Sequence, residues 1–137
     1  MTSAFDSNIV LYAMTESADE ADKAARSKAL ILEGGIVSVQ VLNEVAWVAL
    51  RKLSKAWPEI NYALGLVRAF CDVVPVTIEI HDEGRYIAER YKLGVFDAMI
   101  VAAASLANCD ILYSEDMHDG LVVNGGLRVC NPFRHQH

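Results

Sequence analysis

Proline is scarce, with three residues in 137, and the chain has no low-complexity tract. With 53% apolar and 22% charged residues, this excludes a disordered chain or a linker. Cysteine is also sparse. Cys71, Cys109 and Cys130 are odd in number, far apart and free of any Cys-x-x-Cys spacing, which excludes a disulfide scaffold and reads as buried, reduced thiols in a cytosolic protein. Long apolar runs are missing too: the longest candidate, 93–107, is interrupted by Asp97 and falls short of the roughly 18 residues of a membrane helix. The opening MTSAFDSNIV lacks the basic start and apolar core of a signal peptide. A cytoplasmic protein with no membrane partner is expected.

Positive charge is in deficit, with 12 Lys and Arg against 18 Asp and Glu and a net charge of −6. That excludes a general nucleic-acid binder with a basic stripe. It does not exclude a nuclease whose metal ions neutralise phosphate charge, because Arg51, Lys52, Lys55, Arg85, Arg90 and Lys92 supply local basic groups. Such an enzyme should bind its substrate weakly and with strong salt sensitivity.

What is present is a pattern of solitary acids. Three long apolar stretches each hold one charge: Asp6 within 1–15, Glu44 within 36–50 and Asp97 within 93–109. A carboxylate taken from water without a partner costs several kcal/mol or shifts its pKa. Three of them suggest a buried acidic cluster around a shared divalent cation.

The coarse order alternates strand and helix. Residues 2–5 read as a strand running into Asp6 and a helix from Asn8 to Met14. Residues 17–32 read as an amphipathic helix ended by Gly34 and Gly35. A strand at Ile36 and Val37 leads to a helix to about Ser54 capped by Ser38, on which Gln40, Glu44, Trp47 and Arg51 share a stripe. Pro58 opens a helix over 58–71 that offers Ile60, Leu64, Val67 and Phe70 to the core. A β-branched segment at 73–76 follows, then a helix from Thr77 to Leu93 stopped by Gly94. A helix over 97–107 and strands at 111–113 and 127–129 complete the chain. This order predicts an α/β fold, a mostly parallel sheet covered by helices, in one domain over 1–133 with 134–137 as a flexible tail.

In such a sheet, functional groups collect outside the carboxyl ends of the strands, where Asp6, Glu44, Asp97 and Asp116 can all meet. Hard oxygen ligands select Mg²⁺ or Mn²⁺. Each acid has an ordinary alternative. Asp6 could cap the helix after it, Glu44 could be an exposed helix glutamate, Asp97 could favour a helix N-terminus, and Asp116 could sit in a solvated turn. His118 reads as a surface-turn residue, and His135 and His137 as part of the tail. Tyr12, Trp47 and Trp57 are candidates for a groove or a homodimer face, though aromatics are more often buried.

The motifs Phe5-Asp6-Ser7-Asn8-Ile9-Val10-Leu11-Tyr12, Val41-Leu42-Asn43-Glu44-Val45, Phe96-Asp97-Ala98-Met99-Ile100 and Leu112-Tyr113-Ser114-Glu115-Asp116-Met117, in this order, resemble the PIN-domain ribonucleases and, within them, the VapC toxins of type II toxin–antitoxin pairs. The resemblance covers the whole chain. It implies a three-layer α/β/α fold around a parallel five-stranded sheet and a Mg²⁺ site centred on Asp6 and Asp97. Glu44 and Asp116 would complete the site directly or through water, with Asn8 and Ser114 supporting the acids. Glu115 stands where the family often has other residues, so it could bind metal or only add charge. The implied reaction is endonucleolytic hydrolysis of RNA by a water whose pKa the metal lowers, leaving a 5′-phosphate and a 3′-hydroxyl. The implied partners are RNA, a small antitoxin that places a basic side chain among the acids, and a second copy in a homodimer.

Three competing readings share some of these residues. A receiver domain would need a lysine after its last strand, where Cys130-Asn131-Pro132-Phe133 stands. A non-catalytic PIN module would have no use for four acids. A housekeeping RNA-processing nuclease would use the same set.

Overall fold

The computed structural model describes residues 2–134; His135 and His137 lie outside the described residues. In chain order the elements are β1 (Ser3–Phe5), α1 (Ser7–Met14), a 3₁₀ turn (Ala18–Glu20), α2 (Ala21–Leu32), β2 (Gly35–Ser38), α3 (Val39–Arg51) and α4 (Trp57–Phe70). There follow β3 (Cys71–Val74), α5 (Ile78–Tyr91), α6 (Val95–Leu106), β4 (Ile111–Tyr113), β5 (Val122–Val123) and β6 (Leu127–Cys130). This is the α/β/α fold expected from the sequence, with one addition. The strand order is β3-β2-β1-β4-β6-β5, five parallel strands plus the two-residue β5 antiparallel to β6. Two residues are too few to show an alternating pattern, so β5 had no signal in the sequence.

Local chemistry accounts for most boundaries. Ser38 Oγ accepts from the Val41 N–H at 3.2 Å and Thr77 Oγ1 from the Ile80 N–H at 3.2 Å, capping α3 and α5. Pro58 falls in the first turn of α4, where its missing N–H is not needed. The end of α5 differs from expectation. Lys92, not Gly94, adopts the left-handed conformation (φ 60°) and closes the helix onto Ala88, while Gly94 becomes the N-cap of α6.

The core is a single apolar cluster that includes Phe5, Ile9, Val37, Val41, Ile87, Val101, Leu112 and Val129. Phe70 and Val76 stay outside it, at 46% exposure each. The run from Ala98 to Ala104 in α6 is wholly buried, as its small side chains allow. Cys71 and Cys109 are free and buried, and burial pushes both thiols up to about 11, so they are protonated and unreactive at neutral pH. No described helix is long and apolar enough to cross a membrane.

The strand order contains the decisive feature. From β1 the chain moves to β2 and β3 on one side and later to β4 and β6 on the other. A switch of this kind leaves a crevice at the carboxyl ends of the two central strands, here β1 and β4. Phe5 pairs with Tyr113, and the Asp6 N–H donates to the Tyr113 carbonyl at 3.0 Å. Asp6 and Ser114 therefore leave the sheet side by side.

Candidate active site at the strand switch

Asp6 is the most constrained member of the acidic set. Its backbone is extended (φ −78°, ψ 167°) and it is the N-cap of α1, so the capping role and the site role coincide in one residue. Oδ1 accepts from the Ser7 N–H at 2.7 Å, and Oδ2 accepts from Ser114 Oγ at 2.6 Å and Asn8 Nδ2 at 3.2 Å. The residue is 4% exposed. Burial pushes its carboxyl from 3.8 up to about 6; the bonds from Ser114 and Ser7 oppose this, and the charges of Asp97 and Glu44 add to it.

The other acids surround it from three further elements. Asn8 Nδ2 also donates to Asp116 Oδ2 at 3.2 Å, so one amide bridges two carboxylates. On α3, Glu44 Oε1 accepts from Ser7 Oγ at 2.7 Å and Oε2 from Gln40 Nε2 at 2.8 Å. Asp97 lies in the first turn of α6. Partial burial first, then the charges of Glu44 and Asp116, hold its carboxyl above the usual carboxylate range.

The expectation of a uniformly buried cluster therefore needs correction. Only Asp6 is buried; Glu44 is half-buried, and Asp97 and Asp116 are exposed. The apolar neighbours in sequence pack inward from the opposite face of each helix, which leaves the acid at the rim. Even so, the four acids form one electrostatic group, since Asp6 feels Asp97 and Glu44, and Asp97 feels Glu44 and Asp116. Among the described residues no three acid, imidazole or thiol side chains converge closely enough to hold an ion as they stand. The donor chemistry still fits a hard dication: every group is a carboxylate oxygen, and the mutual repulsion is of the kind a cation relieves.

The profile of the PIN domain matches residues 4–118, from β1 through the segment after β4. The chain belongs to the PIN-domain family. Comparison with curated proteins finds no match. Among solved structures this PIN domain is similar to a toxin–antitoxin complex from Klebsiella pneumoniae (TM-score 0.70, 18% identity, 98% of this chain and 100% of that one). It also resembles the sarcin–ricin loop cleaving toxin VapC20 of Mycobacterium tuberculosis (0.67, 15%, 84% and 90%) and FitAcB of Neisseria gonorrhoeae (0.65, 18%, 98% and 100%). At such identities the likeness concerns the fold.

Several contacts around the PIN site had no signal in the sequence. Glu115 is turned to Lys23, with which it makes an ion pair, and to Tyr12, whose hydroxyl donates to it. Trp47 and Trp57 are 56% and 53% exposed, and Lys52 lies 5.7 Å from the Trp47 ring centroid. His118 is exposed. Away from the acids, α1, α2 and α4 border an apolar groove of about 440 Å³ lined by Val10, Ala13, Ile31, Leu66 and Phe70, with Lys28 and Lys55 at its rim.

Proposed function

We propose that this PIN domain is a divalent-metal-dependent endoribonuclease and the toxin of a toxin–antitoxin pair, acting in the cytoplasm as one domain over 1–133. The observation that carries the nuclease reading is the strand-switch crevice itself. There, one carboxylate is raised to about 6, with the charges of Asp97 and Glu44 adding to the effect of burial, and Asp116 joins the group through Asp97. Asp6 and Asp97 would hold Mg²⁺, or Mn²⁺, and Glu44 and Asp116 would complete the site directly or through water. When bound, the ion supplies Lewis acidity, lowering the pKa of a water and neutralising charge on the scissile phosphate.

The chain's own residues do the rest. Ser114 and Asn8 orient the Asp6 carboxylate, Asn8 also orients Asp116, and Ser7 with Gln40 fixes both oxygens of Glu44. In-line attack on RNA would leave a 5′-phosphate and a 3′-hydroxyl. The toxin reading is supported by neighbours described as a toxin–antitoxin complex and as a sarcin–ricin loop cleaving toxin. A net charge of −6 suits a basic antitoxin. The groove between α1, α2 and α4 suits a partner segment with an apolar face, and the exposed Trp47 suits a homodimer face.

The test is cleavage of structured RNA by purified protein with Mg²⁺ or Mn²⁺, with EDTA and Asp97→Asn as controls. Cutting that survives EDTA overturns the metal dependence, and cutting that survives Asp97→Asn overturns the assignment of the reaction to this site. Growth arrest on expression, reversed by a short reading frame encoded directly upstream, supports the toxin reading; harmless expression with no such neighbour defeats it.

A further inference from the structure

A second set of side chains lies behind the acids and touches none of their carboxylates. Lys23 on α2 pairs with Glu115 and lies 3.4 Å from the Tyr12 hydroxyl. Its ammonium sits 5.1 Å from the Tyr12 ring centroid and 5.5 Å from that of Phe133, and the two rings meet edge to face at 5.2 Å. Three segments far apart in sequence are thus tied to one lysine. The tie reaches the site through the backbone. The Glu115 N–H donates to Asn8 Oδ1 at 3.2 Å. An N–H can only donate, so Asn8 must present its oxygen to Glu115 and its NH₂ to Asp6 and Asp116.

We infer that Lys23, Tyr12 and Glu115 form a positioning clamp that fixes the orientation of the Asn8 amide and, through it, the spacing of Asp6 and Asp116. The inference rests on the metal-site reading above for its functional consequence, but the clamp itself can be read in metal-free protein. Groups that orient metal ligands from behind are typically worth about ten- to a hundredfold in metal affinity. Glu115 then has an assigned task. It is a structural anchor held by a cation, not a fifth ligand.

Charge alone and positioning predict opposite signs for Lys23→Met, which makes the test sharp. Lys23→Met removes a positive charge near the acids, and by charge alone would tighten Mn²⁺ binding; Glu115→Ala removes a negative one and would loosen it. The clamp requires both to weaken Mn²⁺ binding, by about tenfold in calorimetric titration, with Lys23→Arg close to wild type. In metal-free protein, the Asn8 side-chain amide resonances should move toward free-amide positions in Lys23→Met and Glu115→Ala. Tyr12→Phe, which keeps the ring packing, should show a smaller shift and guards against misfolding of the others. Unmoved Asn8 resonances, or affinities that change in opposite directions, overturn the clamp. Wild-type protein that binds no Mn²⁺ while the resonances move as expected would defeat the metal-site reading and leave the clamp standing.

Discussion

The acidic site has a half built by strands and a half built by helices, and the two are held by different forces. In the strand half, Asp6, Asn8, Ser114 and Asp116 leave adjacent β1 and β4 and are joined by hydrogen bonds of 2.6 to 3.2 Å. In the helix half, Asp97 depends on the placement of α6, since among the described residues no donor reaches its carboxylate, and Glu44 is steadied by Ser7 and Gln40. Folding alone sets the geometry of the strand half, including one acid whose charged form is penalised. The helix half keeps a freer carboxylate that can adjust to whatever the crevice takes up. Preorganisation on one side and adjustability on the other suit a site that binds a cation and then a phosphate.

Removing the Asp97 charge tests that division from the helix side. Asp97→Asn should lower RNA cleavage by about a thousandfold or more, equivalent to about 4 kcal/mol of lost transition-state stabilisation. The melting temperature of the metal-free protein should hold or rise, because the substitution removes a charge that Glu44 and Asp116 repel. A clear fall in melting temperature would show that Asp97 is as integrated as Asp6 and that the two halves are held alike.

The strand side should respond in the opposite way. A Cβ on Gly35 would lie 2.6 Å from the Ser3 carbonyl oxygen and 2.8 Å from the Phe5 ring, at a φ of +156°. The obstruction is backbone and a fully buried ring, so β1 and β2 would have to separate. Gly35→Ala should destabilise the protein by about 3 kcal/mol in urea unfolding, with activity lost only as the fold is lost. Full stability with normal cleavage would contradict the close approach of β1 and β2.

Protonation sharpens the same contrast. Asp6 holds its proton more tightly folded, at about 6, than its usual 3.8. Its contribution to metal-free stability is therefore fully present below about pH 4 and lost as pH rises through 6. Over that window wild type should lose about 2 to 3 kcal/mol relative to Asp6→Asn, measured by urea unfolding in EDTA so that the other groups cancel. Saturating Mg²⁺ should restore wild type at neutral pH, since binding to the folded state alone adds stability. Parallel pH profiles for the two proteins would remove the case for a penalised Asp6.

Legibility in the sequence did not follow the division into halves. Asp6 stood out as a lone charge in an apolar stretch, whereas Asn8 and Ser114 came only from the family resemblance and Asp116 from its place at a strand end together with that resemblance. The caps at Ser38 and Thr77 follow from local hydrogen-bonding chemistry. The acids on α3 and α6 were visible because each interrupts an apolar stretch, yet that same signal misjudged their burial. A stretch of apolar residues on a helix shows that one face is buried, not that the charge within it is. Lys23 was beyond reach for a different reason. Its partner Glu115 lies 92 positions away, and in an amphipathic helix it looks like any surface lysine. Contacts of that kind follow from which helix packs beside which strand end, and no local pattern encodes that.

A gentler perturbation reaches Asp97 through the packing of its helix. Gly84 on α5 faces Met99 on α6, two residues beyond Asp97, and a Cβ there would lie 2.5 Å from the Met99 sulfur and 3.4 Å from its Cα. The first obstacle is a flexible thioether that can swing aside. Relief from the poor helix propensity of glycine offsets part of the remaining cost, so Gly84→Ala should change stability by no more than about 1 kcal/mol. Any residual push acts on α6 as a body, and among the described residues Asp97 has no side-chain hydrogen bond with which to resist it. Mn²⁺ affinity should therefore fall by a larger factor than stability does. If calorimetry instead shows wild-type affinity while urea unfolding shows a loss above about 2 kcal/mol, then α6 does not carry Asp97 with it, and the helix half is held more firmly than its contacts imply.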